Sequence, residues 1–167
     1  MEFQQAKEKF IQTWGTLGSN WGINKTMAQI HALLLISPKP LSTEEVMEDL
    51  MISRGNANMN IRALIDWGIV FKEFIPGERK EYFTAEKDIW ELSKHIIEQR
   101  KKRELDPMMR SLSQIGKLEG GKPDEVQEFE KIMSELNVFS TKAESMLNKI
   151  ISANKNWFFN FLLKLFK

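Results

Sequence analysis

The sequence predicts a mainly α-helical protein that contains one small β-hairpin. Three observations support this prediction: apolar residues at helical spacing on both sides of residues 41–85, two short helical patterns at the start of that stretch, and two β-rich runs at its end. Two short helices followed by a hairpin are the order of a winged helix-turn-helix domain. We therefore expect such a domain with a small β-hairpin wing, flanked by N- and C-terminal helices that form a dimerisation region.

The first two helices are predicted from their apolar faces. The face of the first consists of Phe3, Phe10, Trp14 and Leu17. Glycines follow at Gly15, Gly18 and Gly22, and they predict that this helix gives way to a loop. Asn24 is a suitable N-cap for the second helix. The two prolines of the Ser-Pro-Lys-Pro run at 37–40 end that helix, because proline lacks an N–H.

The helix-turn-helix pattern begins with a capping box formed by Ser42 and Glu45. Its second helix starts at Ser53, and Gly68 is a plausible stop. Helical spacing assigns an inward face to Ala57, Ile61, Leu64 and Ile65.

The remaining residues of this second helix form an outer face, which comprises Arg54, Gly55, Asn56, Asn58, Met59 and Arg62. Asparagine and glycine are poor helix formers, so their presence there points to a task beyond folding. Asparagine can bond an adenine edge, arginine a guanine edge or a phosphate, and glycine lets another backbone come close. DNA binding is the functional interpretation, and a solvated polar face is the alternative.

The hairpin is predicted from two β-branched and aromatic runs, at residues 69–74 and 82–84. Pro76 and Gly77 suit the two central positions of a type II turn. Arg79 and Lys80 follow this turn and suit contact with a phosphate or a narrow minor groove, although two neighbouring glutamates weaken the basic signal.

The C-terminal half is predicted to be helical. A helix follows residue 84, and a basic run at 100–103 either touches phosphate or solvates the end of that helix. Asp106 and Pro107 predict the start of a new helix. A heptad seam typical of paired helices then comprises Phe129, Ile132, Leu136, Phe139, Ala143, Met146 and Ile150, with packing on its own domain as the alternative. The apolar tail at 155–167 packs on the dimer core, exchanges with the partner or lies on a membrane surface.

Composition excludes several classes of protein. The chain has 167 residues, a net charge of +1 and no cysteine, which excludes disulfides and thiolate metal sites. The small net charge requires any DNA-binding surface to be local. No signal peptide pattern is present, nor a run of about 18 apolar residues. His31 and His95 lack ligand spacing, and no nucleophile elbow or P-loop appears. We expect a cytoplasmic protein that is not an enzyme and holds no metal or cofactor.

Four segments resemble the GbsR-type branch of the MarR-like transcriptional regulators. They are ISPKPLS at 36–42, SRGNANM at 53–59, DWGIV at 66–70 and GERKEYF at 77–83. The resemblance extends from about Phe10 to Met109. It implies a dimeric regulator, in our interpretation a repressor, that binds a pseudo-palindromic operator. Residues 53–67 would be its recognition helix and residues 74–82 its wing.

We divide the chain into an N-terminal dimerisation arm (1–22), the winged domain (23–85) and a helical dimerisation region with the apolar tail (86–167). Base contacts are expected from Arg54, Asn56 and Asn58. Contacts with phosphate or sugar are expected from Ser53, Arg62, Arg79 and Lys80. Gly55 and Met59 complete the predicted surface.

The resemblance also raises the sensing of a quaternary ammonium compound, because GbsR-type regulators are associated with choline and glycine betaine metabolism. Such cations bind in aromatic cages, and Trp14, Trp21 and Trp90 are the candidates, with core packing as the alternative. Two other functions stay open: a winged-helix module that binds protein, and a membrane-surface adaptor that uses the tail.

Overall fold

The computed structural model describes residues 1–116 and 118–154, which form two compact units, Met1–Leu92 and the residues from Ser93 onward. The first unit contains α1 (Phe3–Asn20), α2 (Lys25–Ile36), β1 (Leu41–Ser42), α3 (Thr43–Leu50), α4 (Arg54–Asp66), β2 (Val70–Glu73) and β3 (Tyr82–Ala85). This order confirms the predicted winged helix-turn-helix domain. The tail at 155–167 lies outside the described residues.

The start of each of three helices is fixed by a side chain that the sequence identifies. Asn24 accepts a hydrogen bond from the N–H of Met27 at 3.1 Å and caps α2. Ser42 and Glu45 form the predicted capping box of α3, with the Ser42 N–H donating to Glu45 at 2.8 Å. Ser53 caps α4. These local predictions are confirmed.

The loop predicted at Gly15 and Gly18 is wrong, because both residues lie inside α1. They are buried where α1 packs on α2 in the same unit. A Cβ atom on Gly18 would lie 2.5 Å from the Cβ of Ala28, which is closer than real side chains approach. Tertiary packing therefore overrides the low helix propensity of glycine. Gly22, with a φ of +74°, does lie in the turn that follows.

The wing is the antiparallel pair β2–β3, and a third strand joins it on the other side of β3. The turn between β2 and β3 has the geometry of a type II turn. Gly77 has a φ of +88°, and the Glu78 N–H donates to the Ile75 carbonyl at 3.0 Å. The third strand, β1, consists of Leu41 and Ser42 and was not predicted. It is too short for a two-residue period to be read from sequence.

A lysine side chain closes the C-terminal end of α2. The Lys87 ammonium donates to the carbonyl oxygens of Leu34, Leu35 and Ser37 at 2.6, 2.7 and 2.8 Å. These carbonyl oxygens lack N–H donors within the helix. The ammonium supplies charge-assisted hydrogen bonds in their place. Burial lowers the pKa of Lys87.

From Ile89 to Ser113 the chain forms a continuous helical run in place of the predicted new start at Asp106. Helix α5 (Ile89–Arg100) passes through a π-helical turn (Lys101–Leu105) into α6 (Asp106–Ser113), and Leu105 and Asp106 both have right-handed helical dihedrals. In a regular α-helix the ring of Pro107 would clash with the carbonyl four residues earlier. The wider π-helical turn precedes it and changes the hydrogen-bonding register there.

The basic run at 100–103 therefore lies within a helix and not at its end. Lys101 bonds to Asp106 at 2.8 Å and to Glu144 at 3.1 Å, and the Asp106 hydrogen bond raises the pKa of Lys101. Lys102 pairs with Glu98 in the preceding turn. These ion pairs support the structural interpretation of the run over a phosphate-binding one.

Helix α7 (Pro123–Ser152) leaves much of its predicted seam open to solvent. The large seam residues are between 37% and 69% exposed, and they are Phe129, Ile132, Leu136, Phe139 and Met146. A second stripe at seven-residue spacing is more covered, and it consists of Val126, Met133, Ser140 and Leu147. Within residues 1–116 and 118–154, every helix is too short or too polar to cross a bilayer.

Candidate nucleic-acid interface

Helices α3 and α4 are joined by a tight turn that fixes which side of α4 faces outward. Met51 ends α3 with a φ of +51°, in the left-handed region, and the Ile52 N–H donates to the Met47 carbonyl at 3.1 Å. Ala57, Ile61 and Leu64 are buried in the core. The opposite side of α4 must therefore face solvent.

This outward side carries most of the predicted DNA-binding residues of α4. Arg54, Gly55 and Arg62 are exposed, and Asn58 is half-buried. Met59 is 61% exposed. A shallow groove runs along this side and is lined by Gly55, Asn58, Met59, Arg62, Ala63 and Asp66. The structure thus places the exposed residues of the predicted surface on one face.

Asn60 is part of this helix but was absent from the prediction. It is only 3% exposed, and its Nδ2 donates to the backbone oxygen of Asn56 at 2.8 Å and to the Oδ1 of Asn56 at 2.7 Å. Its spacing from Ala57 and Leu64 places it on the inward face. Helical periodicity therefore contained the signal for a buried asparagine.

Two other predicted base contacts also have partners within the chain. Asn58 accepts a hydrogen bond from the Thr43 hydroxyl of α3 at 3.4 Å. Arg54 forms an ion pair with Glu44 of α3 at 2.7 Å. The hydrogen bond from Arg54 lowers the pKa of Glu44, and Lys80 of the wing adds to this effect. Glu44 thus lies near cations from both α4 and the wing.

The wing presents its basic pair without neutralising it. Arg79 and Lys80 are both exposed, and among the described residues neither joins an ion pair. Glu81, which weakened the basic signal in the sequence, forms an ion pair with Lys72 of β2. Lys80 also lines a cleft between the wing and α3.

The hydroxyl of Ser53 is already used by the protein, because it accepts a hydrogen bond from the N–H of Asn56 at 3.3 Å. As an N-cap it still leaves backbone N–H groups at the start of α4 directed outward. A phosphate contact at Ser53 would therefore involve this helix end as well as the side chain.

The three tryptophans predicted for an effector site have different environments. Trp14 lies at the α1–α2 contact, where its Nε1 donates to the Nδ1 of His31 at 3.2 Å. Trp21 follows the end of α1 and is 56% exposed. Trp90 lies in the first turn of α5. An aromatic cage formed by these residues stays a prediction.

His31 is a buried titratable group with a strongly lowered pKa. It is 3% exposed, and burial followed by the charge of Lys87 lowers its pKa to about 4. Its Nδ1 accepts from Trp14, so the proton of the neutral ring lies on Nε2, which has no hydrogen-bond partner among the described residues. In that part of the chain, no group of three or more His, Asp or Glu side chains is arranged to hold a metal.

Comparisons with known proteins agree with this domain. No family model matches the chain. The HTH-type transcriptional repressor GbsR of Bacillus subtilis (strain 168) is 24% identical over 102 residues, which is 61% of this chain and 56% of that protein. The HTH-type transcriptional repressor OpcR of the same organism is 24% identical over 88 residues, 53% of this chain and 48% of that protein. The chain spans about half the length of these curated relatives.

A solved structure gives the same result for the fold. The crystal structure of a transcriptional regulator superposes with a TM-score of 0.62 and covers 87% of this chain and 95% of its own, at 18% sequence identity. The chain is therefore similar to HTH-type transcriptional regulators that include GbsR, and the resemblance predicted from the four segments is confirmed.

Proposed function

We propose that this protein is a sequence-specific DNA-binding transcriptional regulator, a repressor, that acts as a homodimer in the cytoplasm. The main support is the outward side of α4, where Asn58, Met59 and Arg62 form a surface that the core does not require. In helix-turn-helix proteins the second helix enters the major groove. Two of the curated relatives are named repressors, which supports repression over activation.

Gly55 gives this proposal a second line of support. A Cβ atom placed on Gly55 would meet nothing within 4 Å, so the fold itself has no need for glycine there. Glycine nevertheless lowers helix stability relative to alanine. A binding partner explains the glycine at position 55, because a residue without a side chain lets a DNA backbone come close to α4.

Asn58→Ala and Lys80→Ala are expected to impair DNA binding in different ways. Base contacts carry sequence information, whereas phosphate contacts carry salt-dependent affinity. Asn58→Ala should therefore cost about 1–3 kcal/mol on a selected site and much less on scrambled duplex. Lys80→Ala should weaken both duplexes similarly and lower the salt slope by about one. Fluorescence anisotropy across a salt series measures both quantities.

Lys142→Ala, on an exposed position of α7, is the control for removing one positive charge outside the winged domain. An Asn58→Ala variant with an unchanged ratio of specific to scrambled affinity would remove the base-reading role of Asn58. An unchanged salt slope for Lys80→Ala as well would contradict the proposed docking of the wing.

The homodimer in this proposal is supported by the open seam of α7. A helix with an exposed apolar stripe at heptad spacing buries it best against another helix. In a dimer the two α4 helices would enter two successive major grooves on one side of the DNA. The operator should therefore be an inverted repeat with half-site centres about 10 bp apart. Selection from random duplexes identifies such a repeat.

Placing aspartate at both Leu136 and Met146 is expected to abolish the dimer. Both positions lie in the seam, and burying an unpaired charge there is costly. Sedimentation velocity should show monomer at concentrations where the wild type is dimeric. Aspartate at Ser134 and Thr141, which are exposed and off the seam, changes the charge equally and should leave the dimer intact. A wild type that is monomeric at tens of micromolar would contradict the dimer.

A protein-binding winged helix is the second candidate function. The wing exposes Phe71, Phe74 and Ile75, and this apolar surface favours a protein partner over a phosphate backbone. Salt-dependent binding to duplex DNA distinguishes the two functions. Control by a small quaternary ammonium effector and membrane contact by the tail at 155–167 stay predictions.

A further inference from the structure

We propose that Asn60 is a positioning residue for DNA readout. Its hydrogen bond turns the side-chain amide of Asn56 so that the NH2 group of Asn56 faces the DNA. This inference rests on the proposed function and specifies its chemistry. Asn56 would then read a hydrogen-bond acceptor on a base edge, and a purine N7 is the acceptor we assign to it.

The orientation of Asn60 follows from a backbone contact. One of its amide atoms lies 2.8 Å from the backbone oxygen of Asn56. A backbone carbonyl only accepts hydrogen bonds, so the facing atom must be the donor, Nδ2. The choice between the two orientations of the Asn60 amide is thereby determined by the helix itself.

The orientation of Asn56 follows in turn from that of Asn60. The same Nδ2 lies 2.7 Å from the side-chain amide of Asn56, and it has a second hydrogen to donate. The facing atom of Asn56 must therefore be its Oδ1. Since Asn60 is 3% exposed, water does not compete for this bond. The Nδ2 of Asn56 is the atom left without a partner in this pair, and Asn56 itself is half-exposed at the edge of the outward face.

The consequence is a preference for acceptors at the position that Asn56 reads. An amide that presents NH2 donates to purine N7, whereas accepting a hydrogen bond from the amino group of adenine or cytosine would need Oδ1 turned outward. Asn56 lies at the edge of the outward face, and Asn60 holds its amide from the buried side of α4. The NH2 group of Asn56 is thus a hydrogen-bond donor whose direction is fixed by the buried Asn60.

The test uses 7-deazapurines, in which N7 is replaced by C–H, placed singly at each purine of a duplex selected by the full-length protein. Asn60→Ser retains a hydroxyl that can bond the Asn56 carbonyl, as serine often does within helices, and removes the bond to the Asn56 side chain. Asn60→Leu removes both bonds and keeps the same branching of the side chain. Asn56→Ala removes the proposed reader. Thermal unfolding of each variant shows whether it is folded.

We expect one purine in each half-site at which the 7-deaza change weakens wild-type binding about fivefold through the loss of the hydrogen bond from Asn56. That sensitivity should disappear in Asn56→Ala and fall to less than twofold in both Asn60 variants. A purely structural role for Asn60 would instead lower affinity for every duplex and leave the 7-deaza effect unchanged. The double variant Asn56→Ala with Asn60→Ser should show no further loss of specificity, because the two residues act as one unit.

Three results would overturn the inference: no sensitive purine in the wild type, no sensitive purine whose effect is lost in Asn56→Ala, or wild-type sensitivity in Asn60→Ser at the purine that Asn56 reads. If one Asn60 variant does not fold, the other decides the outcome, and Asn56→Ala tests the reader independently. A protein that selects no duplex at all would overturn the proposed function and this inference with it. Selection that succeeds while the Asn60 variants behave like wild type overturns only the inference.

Discussion

Between pH 6.5 and pH 4 the unit Met1–Leu92 should lose about 3 kcal/mol of unfolding free energy through His31 alone. The pKa of His31 is about 4 in the folded protein and 6.5 in a solvated chain. Below pH 6.5 the unfolded state therefore binds a proton at His31 that the folded state does not bind. The contribution of His31 to the free energy of unfolding is present above pH 6.5 and is lost as the pH falls towards 4. Protonation at Nδ1 would also displace the hydrogen bond from Trp14.

Urea unfolding followed by tryptophan fluorescence measures this loss, and the window from pH 6.5 to 5 lies above the range in which most carboxylates titrate. The wild type should lose about 2 kcal/mol there. His31→Asn keeps an acceptor for Trp14 but does not titrate, so its stability should be lower at pH 7.5 and nearly constant down to pH 5. His95→Asn shows how much of the slope belongs to the other histidine. Equal wild-type stability at pH 7.5 and 5.5 would contradict this role of His31.

Alanine in place of glycine should have opposite effects at Gly18 and Gly55. At Gly18 the new Cβ would lie 2.5 Å from the Cβ of Ala28, so α1 and α2 must separate. Overpacking of this kind costs about 1–3 kcal/mol. At Gly55 the new Cβ meets nothing, and the variant should gain about 0.4–1 kcal/mol from a less flexible unfolded chain. The same Gly55→Ala variant should bind DNA less tightly, because the methyl group stands on the outward side of α4.

Gly15→Ala is the intermediate case, because its Cβ would approach the flexible side chain of Gln29 at 2.7 Å. The expected order of stability is therefore Gly55→Ala, wild type, Gly15→Ala and Gly18→Ala, from highest to lowest. Chemical denaturation measures the order, and anisotropy measures DNA affinity. A Gly18→Ala protein as stable as wild type would show that the helices adapt without cost. A Gly55→Ala protein that binds DNA normally would remove the reason given for that glycine.

The elements that were predicted correctly are those whose signals are local in sequence. Ser42 and Glu45 are three residues apart and satisfy each other, and Asn24 and Ser53 cap helices whose first turns follow at once. Pro76 and Gly77 determine a turn from their own dihedral preferences. Such signals need no knowledge of the rest of the chain.

The elements that were missed depend on contacts distant in sequence. Gly18 is tolerated in α1 because Ala28 lies against it, and neither residue indicates this alone. Asp106 resembles an N-cap, but its carboxylate is taken by Lys101 within a helix that continues. Leu41 and Ser42 form a strand only because β3 returns to pair with them.

The candidate site was predicted in outline and not in its internal bonds. The outward face of α4 follows from periodicity, so the exposed positions of Arg54 and Arg62 could be expected. The bonds of Glu44 to Arg54 and of Thr43 to Asn58 join α3 to α4, and their existence depends on how the two helices cross. Sequence indicates which polar residues are available, and the packing of the helices determines which of them are occupied.

The strand order also sets a sequence of events while the protein is being made. β1 and β2 are synthesised first, but each pairs only with β3, which lies between them. A nascent chain that has not yet emerged past Ala85 therefore has no sheet, and Leu41 and Val70 lack the strand that covers their backbones. Completion of β3 supplies both pairings at once. The winged domain should thus fold on the ribosome in one late step, and a chain stalled a few residues earlier should be sensitive to proteases.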